Sequence, residues 1–196
     1  MTGNFIVIGG IDGCGGTTHC KLLYEWIKEH YQFEVILTKE PTDGKIGLLI
    51  REYLKSGQIN KRTDALLFAA DRSEHIHKTI RPALERGACV ICDRYIESSL
   101  AYQCAQGLDP DWILKINEGY ITPNLIIILD IDPKTALLRK SKLEDKFEKI
   151  GFLKSVRKLY HEHTKAFGYK MINSDRPIKE VQTDIREEVK KLLKNV

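Results

Sequence analysis

With 196 residues, 42% of them hydrophobic and 30% charged, and a formal net charge of only +4, the chain can bury a sizeable single core. Neither the charge of a nucleic-acid-binding arm nor the composition of a disordered chain is present. No apolar run approaches the ~20 residues that cross a bilayer, so a soluble cytoplasmic protein with no membrane or nucleic-acid partner is expected.

In chain order, five short apolar runs at about 4–9, 33–38, 88–92, 125–130 and 168–172 alternate with amphipathic helical segments. That alternation predicts an α/β fold whose parallel sheet is covered on both faces. The first run enters Gly9-Gly10-Ile11-Asp12-Gly13-Cys14-Gly15-Gly16-Thr17-Thr18, and a helix is predicted over 17–30. Strand, glycine-rich loop and helix N-terminus together form an anion cradle of backbone N–H groups. The spacing from Gly10 through Gly15 to Thr17 matches the Walker A pattern except that Gly16 stands at the lysine position. A missing ammonium there removes a transition-state contact worth roughly 2–4 kcal/mol, or about 30- to 700-fold in rate unless another group replaces it.

A second helix is predicted over 44–56, with Gly57 as its stop, and the loop before it carries Lys39-Glu40-Pro41. Beyond the carboxyl end of its strand this loop faces the same crevice as the phosphate loop, so Lys39 is a candidate anion contact or a solvated loop lysine. The next helix, from Thr63 or Asp64 to His75, places Phe68 and Arg72 on one face. Periodicity alone reads them as core and rim. Cys89-Val90-Ile91-Cys92 is read as a buried strand whose cysteines pack in the core, and it ends in Asp93-Arg94-Tyr95. A carboxylate at a strand end is a candidate magnesium holder with Thr17, and Arg94 is a phosphate fork. Ser99, Tyr102 and Gln103 follow with polar groups near the same crevice.

Asp109-Pro110 predicts a helix to about Tyr120, and Asp132-Pro133 another to Arg139. The charge-dense segment at about 140–148 has the composition of a mobile lid that could bring Arg139, Lys142 and Lys146 over phosphates. A helix marked by Phe152, Val156, Leu159 and Tyr160 and a final one from about Pro177 through Val181 and Ile185 to Leu192 complete the chain, with His161 and His163 read as surface residues.

These motifs, Gly10 to Thr18, Thr38-Lys39-Glu40-Pro41-Thr42, Leu66 to Arg72, Asp93-Arg94-Tyr95 and Leu129 to Pro133, together resemble the thymidylate kinase family over nearly the whole chain. The resemblance implies a three-layer P-loop NTPase fold in one domain with a five-stranded parallel sheet. It also implies ATP-dependent phosphorylation of dTMP to dTDP with Mg2+, in a homodimer. Gly10, Ile11, Asp12, Gly13, Cys14, Gly15, Gly16, Thr17 and Thr18 would bind the ATP phosphates, and Thr17 and Asp93 the metal. Asp12 would approach the sugar 3′-hydroxyl or the metal's water shell. Phe68 would stack on thymine, Arg72 bond its edge, Arg94 hold the acceptor phosphate and Tyr102 exclude a ribose 2′-hydroxyl, with Ser99 and Gln103 close to the nucleoside. Asp12, Asp93, Arg94, Arg139 and Lys146 would form the catalytic set. Lys39 stands where the family usually shows an arginine, and Phe147-Glu148 would end the lid. The glycine at 16 also admits a second reading, a nucleotide-binding paralogue of weak activity that serves as a regulatory or interaction module.

Overall fold

The computed structural model describes residues 2–56, 60–139 and 146–194. Five strands form one sheet in the order β2-β3-β1-β4-β5, every neighbouring pair parallel. They are β1 (Asn4–Gly10), β2 (Val35–Lys39), β3 (Cys89–Asp93), β4 (Leu125–Asp130) and β5 (Lys170–Asn173). The central three are runs of Ile, Val, Leu and Cys buried on both faces, as a parallel sheet under helices requires. The edge strands β2 and β5 are only partly buried.

The helices are α1 (Gly16–His30), α2 (Lys45–Ser56), α3 (Lys61–His75), α4 (Arg81–Glu85), α5 (Ile96–Ala105), α6 (Pro110–Ile116), α7 (Pro133–Leu138), α8 (Lys146–Phe167) and α9 (Ile178–Leu193). Helix α1 packs against α9, and α5 against α8. Apolar stripes that include Leu23 and Ile27 of α1, and Val181, Ile185 and Val189 of α9, are buried there. Among the described residues no helix is long and apolar enough to cross a membrane. The three-layer α/β architecture is the one expected, and Cys89 and Cys92 are buried free thiols of the core.

Two elements differ from the sequence reading, and a third lies where that reading assigned none. Helix α3 does not end at His75 but continues through a π-helical turn, Ile76–Ile80, into α4. Pro82 has no N–H to donate and sits in the first turn of α4, where the chain can widen. Helix α6 stops at Ile116 rather than Tyr120, because the Asn117 side chain donates to the Ile113 carbonyl at 2.8 Å and Gly119 turns the chain at φ 87°. Residues 98–103 are part of a full helix, α5. The predicted stop at Gly57 lies outside the described residues. Of the predicted lid at about 140–148, residues 140–145 with Lys142 also lie outside the described residues, as do the side chains of Lys146, Phe147 and Glu148, while the backbone of 146–148 opens helix α8.

Candidate functional site

The site lies where the central strand β1 ends. Gly13 takes φ 85°, and a Cβ there would stand 2.3 Å from the Ala136 carbonyl oxygen, so only glycine lets the loop lie against α7. Helix α1 begins after Gly15 with no side-chain cap, which leaves its first N–H groups and positive dipole end directed at the loop's interior. Gly10 to Thr18 line a cavity of about 690 Å³ together with Asp93, Arg94, Arg139 and Arg176. Cys14 is buried behind the loop, and burial pushes its thiol up, so it is not a reactive thiolate.

At Gly16, where a Walker A lysine would stand, a Cβ would meet Asp93 Oδ1 at 2.8 Å. The same carboxylate accepts a 2.6 Å hydrogen bond from the Thr17 hydroxyl. Thr17 and Asp93 are thus brought together as a hydroxyl and a carboxylate, the hard oxygen donors that suit Mg2+. Among the described residues no group of three or more His, Cys, Asp or Glu side chains could form a closed metal cage. An open pair of oxygens beside a phosphate cradle fits an ion that keeps waters and takes its other ligands from a nucleotide.

A second cavity, of about 200 Å³, is bounded by Phe68 and Arg72 of α3 and by Ser98, Ser99, Tyr102 and Gln103 of α5. Asp12 and Arg94 line both cavities. Arg94 donates from Nη2 to Asp12 Oδ1 at 2.7 Å and lies over the Tyr102 ring at 5.2 Å. The Asp12 backbone N–H donates to the Tyr102 hydroxyl at 2.9 Å, and burial pushes that phenol up to about 12, so it stays neutral. Arg94 has φ 71°, a left-handed conformation unusual for a side-chain-bearing residue, at the point where the two cavities meet.

Arg72 is 2% exposed and is fixed by a network that sequence reasoning missed. Its Nε donates to Glu40 Oε2 at 2.9 Å, Nη1 to Asn117 Oδ1 at 2.5 Å, and Nη2 to Ser99 Oγ at 2.9 Å and the Tyr95 carbonyl at 3.1 Å. Glu40 also contacts His75 Nδ1 at 3.1 Å, while Asp71 accepts from the Thr42 N–H at 2.8 Å and its hydroxyl at 2.6 Å. Arg51 donates to the carbonyls of Thr42 and Pro41 at 2.7 and 2.6 Å. The loop 40–44 is thereby locked to α3. The motif Ala70-Asp71-Arg72 carried that signal, but spacing does not reveal which partner a buried charge will take. Asp64 also lines the cavity, and burial pushes its carboxyl up against the hydrogen bonds of Gln103 and Gln106. The Gln103 Oε1 is buried with no hydrogen-bond partner among the described residues.

Lys39 is not in this cavity. It lines a separate depression of about 840 Å³ with Thr17 and Asp93, and its ammonium pairs with Asp43 at 3.1 Å. Arg139 reaches the phosphate cavity while donating to the Ser174 carbonyl at 3.2 Å. Arg176, which no motif singles out, joins it there. His161 is not a plain surface residue: with Arg157 it holds Asp130, at 3.0 Å from its own Nε2 and at 2.7 Å from the arginine Nε.

Comparison with known proteins agrees with this geometry. The thymidylate kinase family model matches residues 8–185. A probable thymidylate kinase of Thermococcus gammatolerans is 43% identical over 196 residues, covering 93% of this chain and 94% of its own. One from Pyrococcus horikoshii is 44% identical over 198 residues, covering 94% and 95% respectively. Another from Methanococcus maripaludis is 45% identical over 172 residues, covering 87% of this chain and 78% of its own.

Proposed function

Because the chain belongs to the thymidylate kinase family, we propose that it transfers the γ-phosphoryl group of ATP to the 5′-phosphate of dTMP, giving dTDP and ADP. The observation that carries this reading is that the phosphate cavity and the nucleoside-sized cavity share one wall, made of Asp12 and Arg94. A donor phosphoryl in the first and an acceptor phosphate at the mouth of the second would meet at that wall, the in-line arrangement that phosphoryl transfer needs. Nothing in the comparisons supports a binding-only module.

The roles follow from chemistry. Gly10 to Thr18 bind the ATP phosphates through backbone N–H groups. Bound Mg2+ neutralises the outer phosphates, and the Thr17 hydroxyl and Asp93 carboxylate would hold it. Arg94 holds the acceptor phosphate, oriented by Asp12. With no lysine at 16, Arg94, Arg139 and Arg176 supply the positive charge of the phosphate cavity. Phe68 offers a ring face to a pyrimidine, Arg72 a fixed donor edge, and the Gln103 Oε1, without a partner among the described residues, an acceptor for the imide N–H that thymine has and cytosine lacks. Ser99 positions Arg72. Tyr102, pinned by the Asp12 N–H, closes the wall against a ribose 2′-hydroxyl. Lys39 acts from the neighbouring depression on the acceptor side. The apolar side chains exposed on α2 and α3, Leu48 at 57%, Leu54 at 53% and Leu66 at 50%, form the face of a homodimer in the cytoplasm.

Initial rates with ATP, Mg2+ and a panel of monophosphates test the reading. The expected order places dTMP at least about tenfold above dCMP and UMP in kcat/KM. A preference for a purine monophosphate, or no diphosphate product with any of them, overturns it. Sedimentation of the natural chain against Leu48→Glu tests the dimer.

A further inference from the structure

His19 lies in the first turns of α1 and is 4% exposed, yet it lines the phosphate cavity. Its ring is held from behind by one residue of α9. The Gln182 side-chain nitrogen is 3.0 Å from the His19 carbonyl oxygen and 2.9 Å from His19 Nδ1. These two contacts fix the protonation pattern. If the amide were turned over, its oxygen would face the carbonyl oxygen at that short distance, which is repulsive. The amine must therefore point this way, and its two hydrogens serve the two acceptors. Nδ1 then carries a lone pair, and the ring proton is on Nε2.

The other edge of the ring faces the loop. His19 Cδ2 and Nε2 lie 3.2 and 3.6 Å from the position a Cβ on Gly15 would take. No hydrogen bond of Nε2 is found among the described residues. A ring whose Nδ1 accepts from the Gln182 amide carries no proton there, so its hydrogen bonding makes it the neutral imidazole. The Gln182 Oε1, for its part, is buried without a partner among the described residues. Gln182 therefore makes its two bonds to His19 at the expense of its own oxygen, a cost that marks the ring's orientation as built.

We propose that His19 is a nucleotide-binding residue, a neutral imidazole locked by Gln182 as its Nε2–H tautomer, whose N–H donates to a phosphate oxygen of the nucleotide seated on Gly13 to Thr18. It adds an uncharged side-chain donor beside the loop's backbone N–H groups and the arginines of the cavity. The identity of the ligand as ATP rests on the kinase reading above; the tautomer does not.

The test uses the full-length chain labelled with 15N and read through its imidazole nitrogens, with the six histidines assigned by single substitution. Without nucleotide, His19 is expected to show a protonated Nε2 and an unprotonated Nδ1. On adding ATP, the Nε2–H signal of the natural protein should move together with the amide signals of Gly13 and Gly15. In initial rates, His19→Ala should raise KM for ATP about three- to tenfold, the loss of one neutral hydrogen bond, with KM for dTMP unchanged. His19→Gln, which carries an N–H near the Nε2 position, should recover most of that loss, and His19→Asn should not.

A ring protonated on Nδ1 in the natural protein overturns the inference. So does an Nε2–H that stays still while the Gly13 and Gly15 amides move, or an equal KM effect of Gln and Ala. If neither the loop amides nor His19 respond to ATP, both the inference and the kinase reading fall. If His19 responds but no dTDP forms, the kinase reading falls and His19 stands.

Discussion

The two cavities that meet at Asp12 and Arg94 are made of different material. The phosphate cavity is walled by backbone N–H groups, glycines and partly exposed arginines. The smaller cavity, proposed as the nucleoside site, is walled in part by Glu40, Arg72 and Ser99, whose positions depend on one another and on His75 and Asn117 behind them, all buried and bonded into one network. A cradle of backbone keeps its shape when one side chain is lost, whereas a buried network does not. A glycine can therefore stand at 16 without collapsing the loop, while no comparable replacement is expected at 72.

The largest effect expected from this contrast is at Arg72. Arg72→Ala leaves Glu40, itself 5% exposed, without its guanidinium partner. Breaking a buried pair from one side costs about 3–5 kcal/mol. Chemical denaturation should show that loss, and Arg72→Lys should not recover dTMP kcat/KM, because a point charge cannot replace the fork shared among four acceptors. Next is Gly13→Ala, which forces an L side chain into φ 85° against the Ala136 carbonyl. A strained residue of this kind costs about 1–3 kcal/mol, and KM for ATP should rise with KM for dTMP little changed. An equal rise in both would show that the two cavities are not mechanically separate.

The smallest effect concerns Glu97, which lies outside both cavities, is fully buried and has Oε2 without a partner among the described residues. Burial pushes its carboxyl up, so the folded chain holds a proton that the unfolded chain releases. Its contribution to stability is present in full below the unfolded carboxyl pKa and is lost as pH rises through the folded one. Glu97→Gln, neutral throughout, should flatten the fall of Tm as pH rises above the ordinary carboxylate range. An unchanged slope would show that Glu97 does not govern it.

Much of this molecule was legible in the sequence because local signals wrote it. The apolar runs of β1, β3 and β4, the glycines of the loop, and the cap-and-proline pairs at Asp109-Pro110 and Asp132-Pro133 each act within a few residues. What was not legible is long-range pairing. Nothing near Glu40 in the chain says that it closes on Arg72, or that Gln182 reaches back to His19 across the α1 and α9 interface. Lys39 shows the same limit: its loop belongs to the crevice, but the side chain turns to Asp43 and a different depression.

The central claim is that the backbone cradle and its arginines do the work without a lysine at 16. Steady-state formation of dTDP from dTMP, ATP and Mg2+ by the natural chain, measured beside Gly16→Lys, tests it most directly. A lysine stem would displace the Asp93 carboxylate that now lies 2.8 Å from the Cβ position and bonds Thr17. The expected result is ready turnover by the natural chain and a change of less than about tenfold, or about 1.4 kcal/mol in the barrier, on adding the lysine. A natural chain that is nearly inert, with turnover restored by the lysine, would contradict the account.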